Sequence, residues 1–259
     1  MAFRTSLQAI VLCSLALVAS VSHGQAGAPG ADEPEKVPSI SELRLIGLRA
    51  LENGDRTAAS DAADRLLMNY EADARAVRLA GDLYLRSGKV HSAVKQFETY
   101  VEREPADKAE LWQYGIALAL AGRFEEGRKL FELHRTVNPN DVENAAWHFY
   151  CVAKLAGAEQ AQKLVLPAPG DTRVPMNEIR RMLIDGNEQR VLDAINQMTE
   201  GSAGRESAEF YGKLYLALYA DAMGNKTKAT LLIGDATKIK QSNYMADVAR
   251  VYQTELESK

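Results

Sequence analysis

Cysteine is almost missing from this 259-residue chain, which has only Cys13 and Cys151. Two thiols so placed exclude a disulfide framework and a thiolate-rich metal site. Histidine is scarce too, with four residues and no HExxH spacing. A CxxC pair, a nucleophile elbow and a phosphate-cradling glycine loop are likewise absent from the sequence. Basic residues are not in excess: 31 Lys and Arg stand against 35 Asp and Glu, a net charge of −4. That balance argues against a nucleic-acid surface spread over the whole protein. Prolines number eight and runs of β-branched residues are few, which favours helix. The 25% charged and 46% apolar residues fit a folded chain rather than a disordered one.

The longest apolar run is Leu7–Val21, broken only by Gln8, Ser14 and Ser20. At about 15 residues it is short for a bilayer span, which needs about 20. Arg4 precedes it, and Ser22-His23-Gly24 places small residues at the −3 and −1 positions of a cleavage site. Residues 1–24 therefore read as a signal peptide, with Gln25 at the mature N-terminus. Leu12 before Cys13 does not fit a lipobox, where a small residue must precede the cysteine. The mature form then carries one thiol, Cys151, expected to be a buried and inert helix residue. Residues 25–39 are rich in Gly, Ala, Pro and charge and read as a flexible linker. The expected location is periplasmic or secreted, with no integral membrane segment in the mature form.

Beyond Ile40 helical spacing dominates, and four features recur at one period. Gly47, Gly81 and Gly115 lie 34 residues apart, as do Gly54, Gly88 and Gly122. Phe97 and Phe131, and Pro105 and Pro139, repeat at the same interval. A shared period of this length is the signature of stacked supersecondary units. The first glycine is expected inside a helix where a side chain would push the two helices of a unit apart. The second is expected at the turn, the phenylalanine between adjacent units, and the proline at the end of the second helix. Units run over about 40–73, 74–107, 108–141 and 142–166, the last cut short at Pro167. A degenerate helix pair is expected over 167–202, and a clearer pair plus a capping helix over 203–259. His91 and His134 are expected to be solvated or half-buried. His148 reads either as a core-edge or as a groove residue.

The residues Ala80-Gly81-x-x-Tyr84, Ala93, Phe97 and Pro105 resemble the tetratricopeptide repeat, a 34-residue antiparallel helix pair. The resemblance covers residues 40–166 and less specifically 203–240. It implies an all-α fold, a solenoid wound as a right-handed superhelix of helix pairs, with a C-terminal capping helix. It further implies a non-catalytic chain whose first helices line a concave groove for a peptide or protein. On the register above, that groove is expected to be lined by Arg75, Arg78, Asp82 and Arg86, then Trp112, Gln113 and Ile116, then Trp147, Tyr150 and Lys154. Arginine forks suit carboxylates, and tryptophan and tyrosine suit binding hot spots. The tryptophans equally suit packing against a neighbouring helix or the C-terminal segment, and the arginines a solvated face. The carboxylate-clamp variant of the family has lysine and asparagine where this chain has Arg78 and Asp82.

The export signal together with the repeats is similar to NlpI-type periplasmic adaptors, from which the missing lipobox is a departure. That resemblance implies a scaffold for protein partners, cell-wall enzymes or a protease among them, with no cofactor, no metal and no nucleic acid. A homodimer stays open. The alternative is a chaperone-like or assembly factor that holds exported clients.

Overall fold

The computed structural model describes residues 36–258. The expected signal peptide and cleavage site, Cys13 and residues 25–35 of the expected linker lie outside the described residues. Among those described, all regular structure is helical, and no helix is long and apolar enough to cross a membrane.

The helices follow one another as hairpins. They are α1 (Ile40–Glu52) with α2 (Arg56–Tyr70), α3 (Ala74–Ser87) with α4 (Val90–Arg103), and α5 (Trp112–Leu120) with α6 (Phe124–His134). Then come α7 (Val142–Ala156) with the short α8 (Ala158–Lys163), and α9 (Met176–Asp185) with α10 (Gln189–Asn196). The last pair is α11 (Ala203–Ala222) with α12 (Lys226–Lys238), and α13 (Tyr244–Ser258) follows. Within each major pair the helices pack along their length, and α2 on α3, α4 on α5 and α6 on α7 stack one hairpin on the next. The result is an α-solenoid.

Local chemistry sets the ends. Ser39 opens α1 with a reciprocal capping box: its Oγ accepts from the Glu42 amide at 3.3 Å, and its own amide donates to Glu42 Oε2 at 2.7 Å. The adjacent Pro38 carbonyl accepts from the Tyr70 hydroxyl at 3.0 Å, so the last residues of the expected linker are tied to the second helix. Asp55, Asp73, Asp141, Ser202 and Asn225 cap later helices in the same sense. At the C-terminus of α3, Gly88 takes φ 91°, which a residue with a Cβ adopts only under strain.

The helix-internal glycines work as expected in the second and third units. A Cβ on Gly81 would lie 3.1 Å from the Phe97 ring, and one on Gly115 only 2.6 Å from Phe131. Each phenylalanine thus sits against the glycine of its own hairpin, and Phe97 also meets Tyr114 of the next, with ring centroids 5.8 Å apart. The first unit differs. Ala63 stands where the phenylalanine would be, and a Gly47 Cβ would instead meet Leu83 of the following unit at 2.6 Å. In the third unit the first helix is short, because Pro105–Glu110 winds as a 3₁₀ turn before α5. The Ala109 carbonyl of that turn meets His134 Nδ1 at 2.8 Å, and His134 is buried rather than solvated or half-buried. His91 is exposed as expected, and His148 is buried with Nε2 3.3 Å from Glu132 Oε1. Cys151 is buried, and burial pushes its thiol well above the usual range.

The capping helix takes a different place from the one expected. Besides packing on α12, α13 packs against α3 near the other end of the array. Its apolar stripe (Met245, Val248, Val251, Tyr252, Leu256) is buried, removing that surface from water.

Gly115→Leu is expected to lower stability by about 1–3 kcal/mol through overpacking against Phe131, read as a drop in the urea midpoint. Pairing it with Phe131→Ala is expected to recover part of that loss. Burial holds the His148 pKa below its usual value, with Glu132 partly offsetting the effect. The unfolded chain therefore binds the proton first, so stability is expected to fall as pH drops from about 6.5 toward that lower value. Urea midpoints at pH 7.5 and 5.5 are expected to differ less in His148→Gln than in the parent chain.

Candidate functional site

The first helices of the hairpins (α1, α3, α5 and α7) present their inner faces to a common side, and α13 lies along it. Three kinds of contact hold it there. Arg86 donates from Nε to Asp247 Oδ2 at 2.8 Å, its second nitrogen lies 2.7 Å from the same oxygen, and Asp82 is 3.6 Å away. The Arg86 guanidinium also lies 4.9 Å over the Tyr244 ring, and Trp112 meets that ring edge-on at 4.8 Å. Further along, Tyr252 packs edge-on against Trp147 and Tyr150.

Asp221 of α11 is the polar centre beneath the second half of α13. Its Oδ2 accepts from the Tyr150 hydroxyl at 2.8 Å and the Tyr252 hydroxyl at 3.0 Å, and its Oδ1 from Lys154 Nζ at 2.7 Å. One buried carboxylate thereby joins α7, α11 and α13. Burial, reinforced by the Asp221 charge, pushes the phenols of Tyr150 and Tyr252 far above their usual range. Both hydroxyls stay protonated as donors. Burial beside Asp82 does the same to Tyr244.

The ten residues expected to line a peptide groove are brought to one side, but most are occupied within the chain. Ile116, Trp147 and Tyr150 are buried, Arg86 is held by α13, and Lys154 is held by Asp221. Trp112 is half-buried against Tyr244. Of the two roles open to the tryptophans, packing against the C-terminal segment is the one observed. The reason is that a helix already tethered to the chain covers these rings at high effective concentration.

What stays open is the end of the groove nearest α1, a cavity of about 480 Å³ between α1, α3, α5 and Tyr244. Arg75, Arg78, Asp82, Arg86 and Gln113 line it, joined by Arg44, which was not among the expected residues. Arg75 pairs with its own N-cap Asp73 at 2.8 Å and holds that carboxyl down to about 2. Arg78 lies 5.6 Å over the Tyr100 ring. Neither Arg78 nor Arg44 has a carboxylate within ion-pair distance among the described residues. Leu48, Leu79 and Tyr100 supply an apolar floor.

Asp221, Asp247, Tyr244 and Tyr252 were not singled out in the sequence. The signal for the three on α13 was present: Tyr244, Val248, Val251 and Tyr252 share one helical face, and Asp247 sits within that stripe. No group of three or more His, Cys, Asp or Glu side chains that would hold a metal ion occurs among the described residues.

No protein-family model matches this sequence. No curated protein matches it either. Solved structures do. A tetratricopeptide repeat protein from Parabacteroides merdae is 13% identical, with 84% of this chain and 98% of that one covered at a TM-score of 0.43. A thermophilic tetratricopeptide protein of Thermus thermophilus is 16% identical, with 85% and 100% covered at a TM-score of 0.43.

Asp247→Ala is expected to cost about 3 kcal/mol, since it leaves Arg86 largely buried with only the more distant Asp82. Arg86→Met combined with Asp247→Leu is expected to restore most of that stability in chemical denaturation.

Proposed function

We propose that this chain is an exported scaffold that binds an acidic segment of a protein partner at the open end of its concave face, without chemistry of its own. The observation that carries this reading is one cavity that joins two guanidiniums without an ion-pair partner among the described residues, Arg44 and Arg78, to an apolar floor, with Asp82 as the carboxylate among its lining residues. Guanidinium forks bind carboxylates bidentately, and Leu48, Leu79 and Tyr100 give an incoming segment apolar contact beside them. Arg75 stands at the same opening, where an incoming carboxylate competes with Asp73 for it. Export rests on the sequence alone: Arg4, the apolar run Leu7–Val21 and the small residues before Gln25. An envelope adaptor of the NlpI type, in a periplasmic or secreted setting, is the role that fits both features. Cell-wall enzymes or a protease would then be its partners.

A chaperone-like role for exported clients fits less well. Holding many apolar segments requires a broad exposed apolar face. Here α13 covers the inner aromatic wall, and the most exposed apolar side chains, Met68 and Leu231, stand on different helices.

Arg44→Glu with Arg78→Glu is expected to reduce capture of cross-linked envelope partners by roughly tenfold or more, the scale of one lost charge-assisted bond. Circular dichroism and the melting temperature are expected to stay unchanged. Capture at the parent level would place the partner on another face. Trp112→Ala, by contrast, is expected to loosen α13 through loss of the Tyr244 contact.

A further inference from the structure

A second cavity, beside the Trp112–Tyr244 pair, has aromatic walls and two carboxylates, and no basic side chain lines it. Its five rings are Trp112, Phe131, Trp147, Tyr211 and Tyr244, brought together from α5, α6, α7, α11 and α13. Trp112 and Tyr244 meet at an interplanar angle of 71°, so these two walls form a corner rather than a flat surface. The carboxylates are Asp141, which caps α7, and Glu143 in its first turn. Both continue into a shallower polar depression with Asp171 and Arg173. There a single guanidinium serves three carboxylates, with Arg173 at 2.6 Å from Glu143, 2.7 Å from Asp171 and 3.7 Å from Asp141. Negative charge is therefore in excess beside the aromatic walls.

We propose that this cavity binds a small quaternary ammonium compound, its methylated nitrogen among the rings and its charge toward Asp141 and Glu143. Aromatic faces attract cations, and two of these rings already hold one. Arg86 lies 4.9 Å over the Tyr244 ring and Arg173 5.9 Å over the Tyr211 ring, yet neither guanidinium lines the cavity itself. Burial raises the Glu143 pKa, against the pull of Tyr215 and Arg173, and a cation in the cavity offsets part of that desolvation.

Hydrogen bonds already made select a cation without N–H donors. Glu143 Oε1 accepts from Arg173 at 2.6 Å and Oε2 from the Tyr215 hydroxyl at 2.6 Å. Asp141 Oδ1 accepts from the Glu143 amide at 2.9 Å and Oδ2 from Asn138 Nδ2 at 3.4 Å. Each carboxylate oxygen is thus engaged within the chain. A primary ammonium is strongly hydrated and brings only donors, which need acceptors once water is left behind. A quaternary nitrogen needs only charge and aromatic contact. The site goes beyond the docking of a partner: its lining shares Tyr244 with the arginine-lined opening but none of the arginines.

Both tryptophans of the chain line the cavity, so their indole N–H resonances report on it directly. The test is an NMR titration of the full chain with choline, with ethanolamine, and with dimethylbutanol, the uncharged carbon isostere of choline. Choline is expected to bind saturably and shift both indole resonances, with ethanolamine and the isostere each roughly tenfold weaker or worse. Asp141→Asn keeps a residue that caps α7 and removes one charge. It is expected to weaken choline by roughly fivefold and to leave the isostere unchanged, with its fold checked by circular dichroism. Absence of a saturable choline shift, or equal binding of ethanolamine or of the isostere by the parent chain, would each overturn the assignment. So would a folded Asp141→Asn variant that binds choline at the parent level.

Discussion

The seating of α13 along the inner faces of α3, α5 and α7 is the contact on which the rest of this structure depends. A stack of helix hairpins has two long surfaces, and the inner one here carries Trp112, Trp147 and Tyr150. Left in water, three such side chains would expose several hundred square ångströms of aromatic surface, a patch large for any monomer. Covering it with a segment of the same chain removes that exposure, and the Arg86–Asp247 pair and the Asp221 centre fix the register of the cover. Both polar contacts are buried, so they specify position more than they add stability.

That cover divides the concave side into parts with different chemistry. Toward α1 the wall is open, and Arg44, Arg75, Arg78 and Arg86 outnumber Asp82 along it. Beyond the Trp112–Tyr244 pair lies the aromatic cavity with an acidic entrance. Under the C-terminal half of α13 a third space is bounded by Phe124, Lys154, Asp221 and Glu255, where the polar groups Lys154 and Asp221 already satisfy one another. The first carries an excess of arginine beside an apolar floor, which is why the proposed docking of an acidic segment is placed there.

Much of the fold was legible in the sequence because its cause is local and repeated. Gly81 with Phe97 and Gly115 with Phe131 are contacts within a hairpin, so a period of 34 residues exposes them. Gly47 shows where that reading stops. Its neighbour Leu83 comes from the next hairpin, and the substitution of Ala63 for the phenylalanine was the only hint. The helix positions that face inward were legible too. What fills the space in front of them was not, because a contact between Arg86 and Asp247 spans 161 residues and leaves no periodic trace. The stripe on α13 was visible as a helical face, yet a single amphipathic face does not say which of several apolar surfaces it will meet.

The measurement closest to the centre of this account is amide hydrogen exchange across residues 244–258 of the intact chain. Helix α13 ends the described chain, and a terminal helix docked only at the end of a stack would fray and exchange quickly. Seated along the concave side, the amides of 248–256 should exchange as slowly as those of α3 and α7. Exchange of this segment near the unprotected rate, with α3 and α7 still protected, would contradict the account.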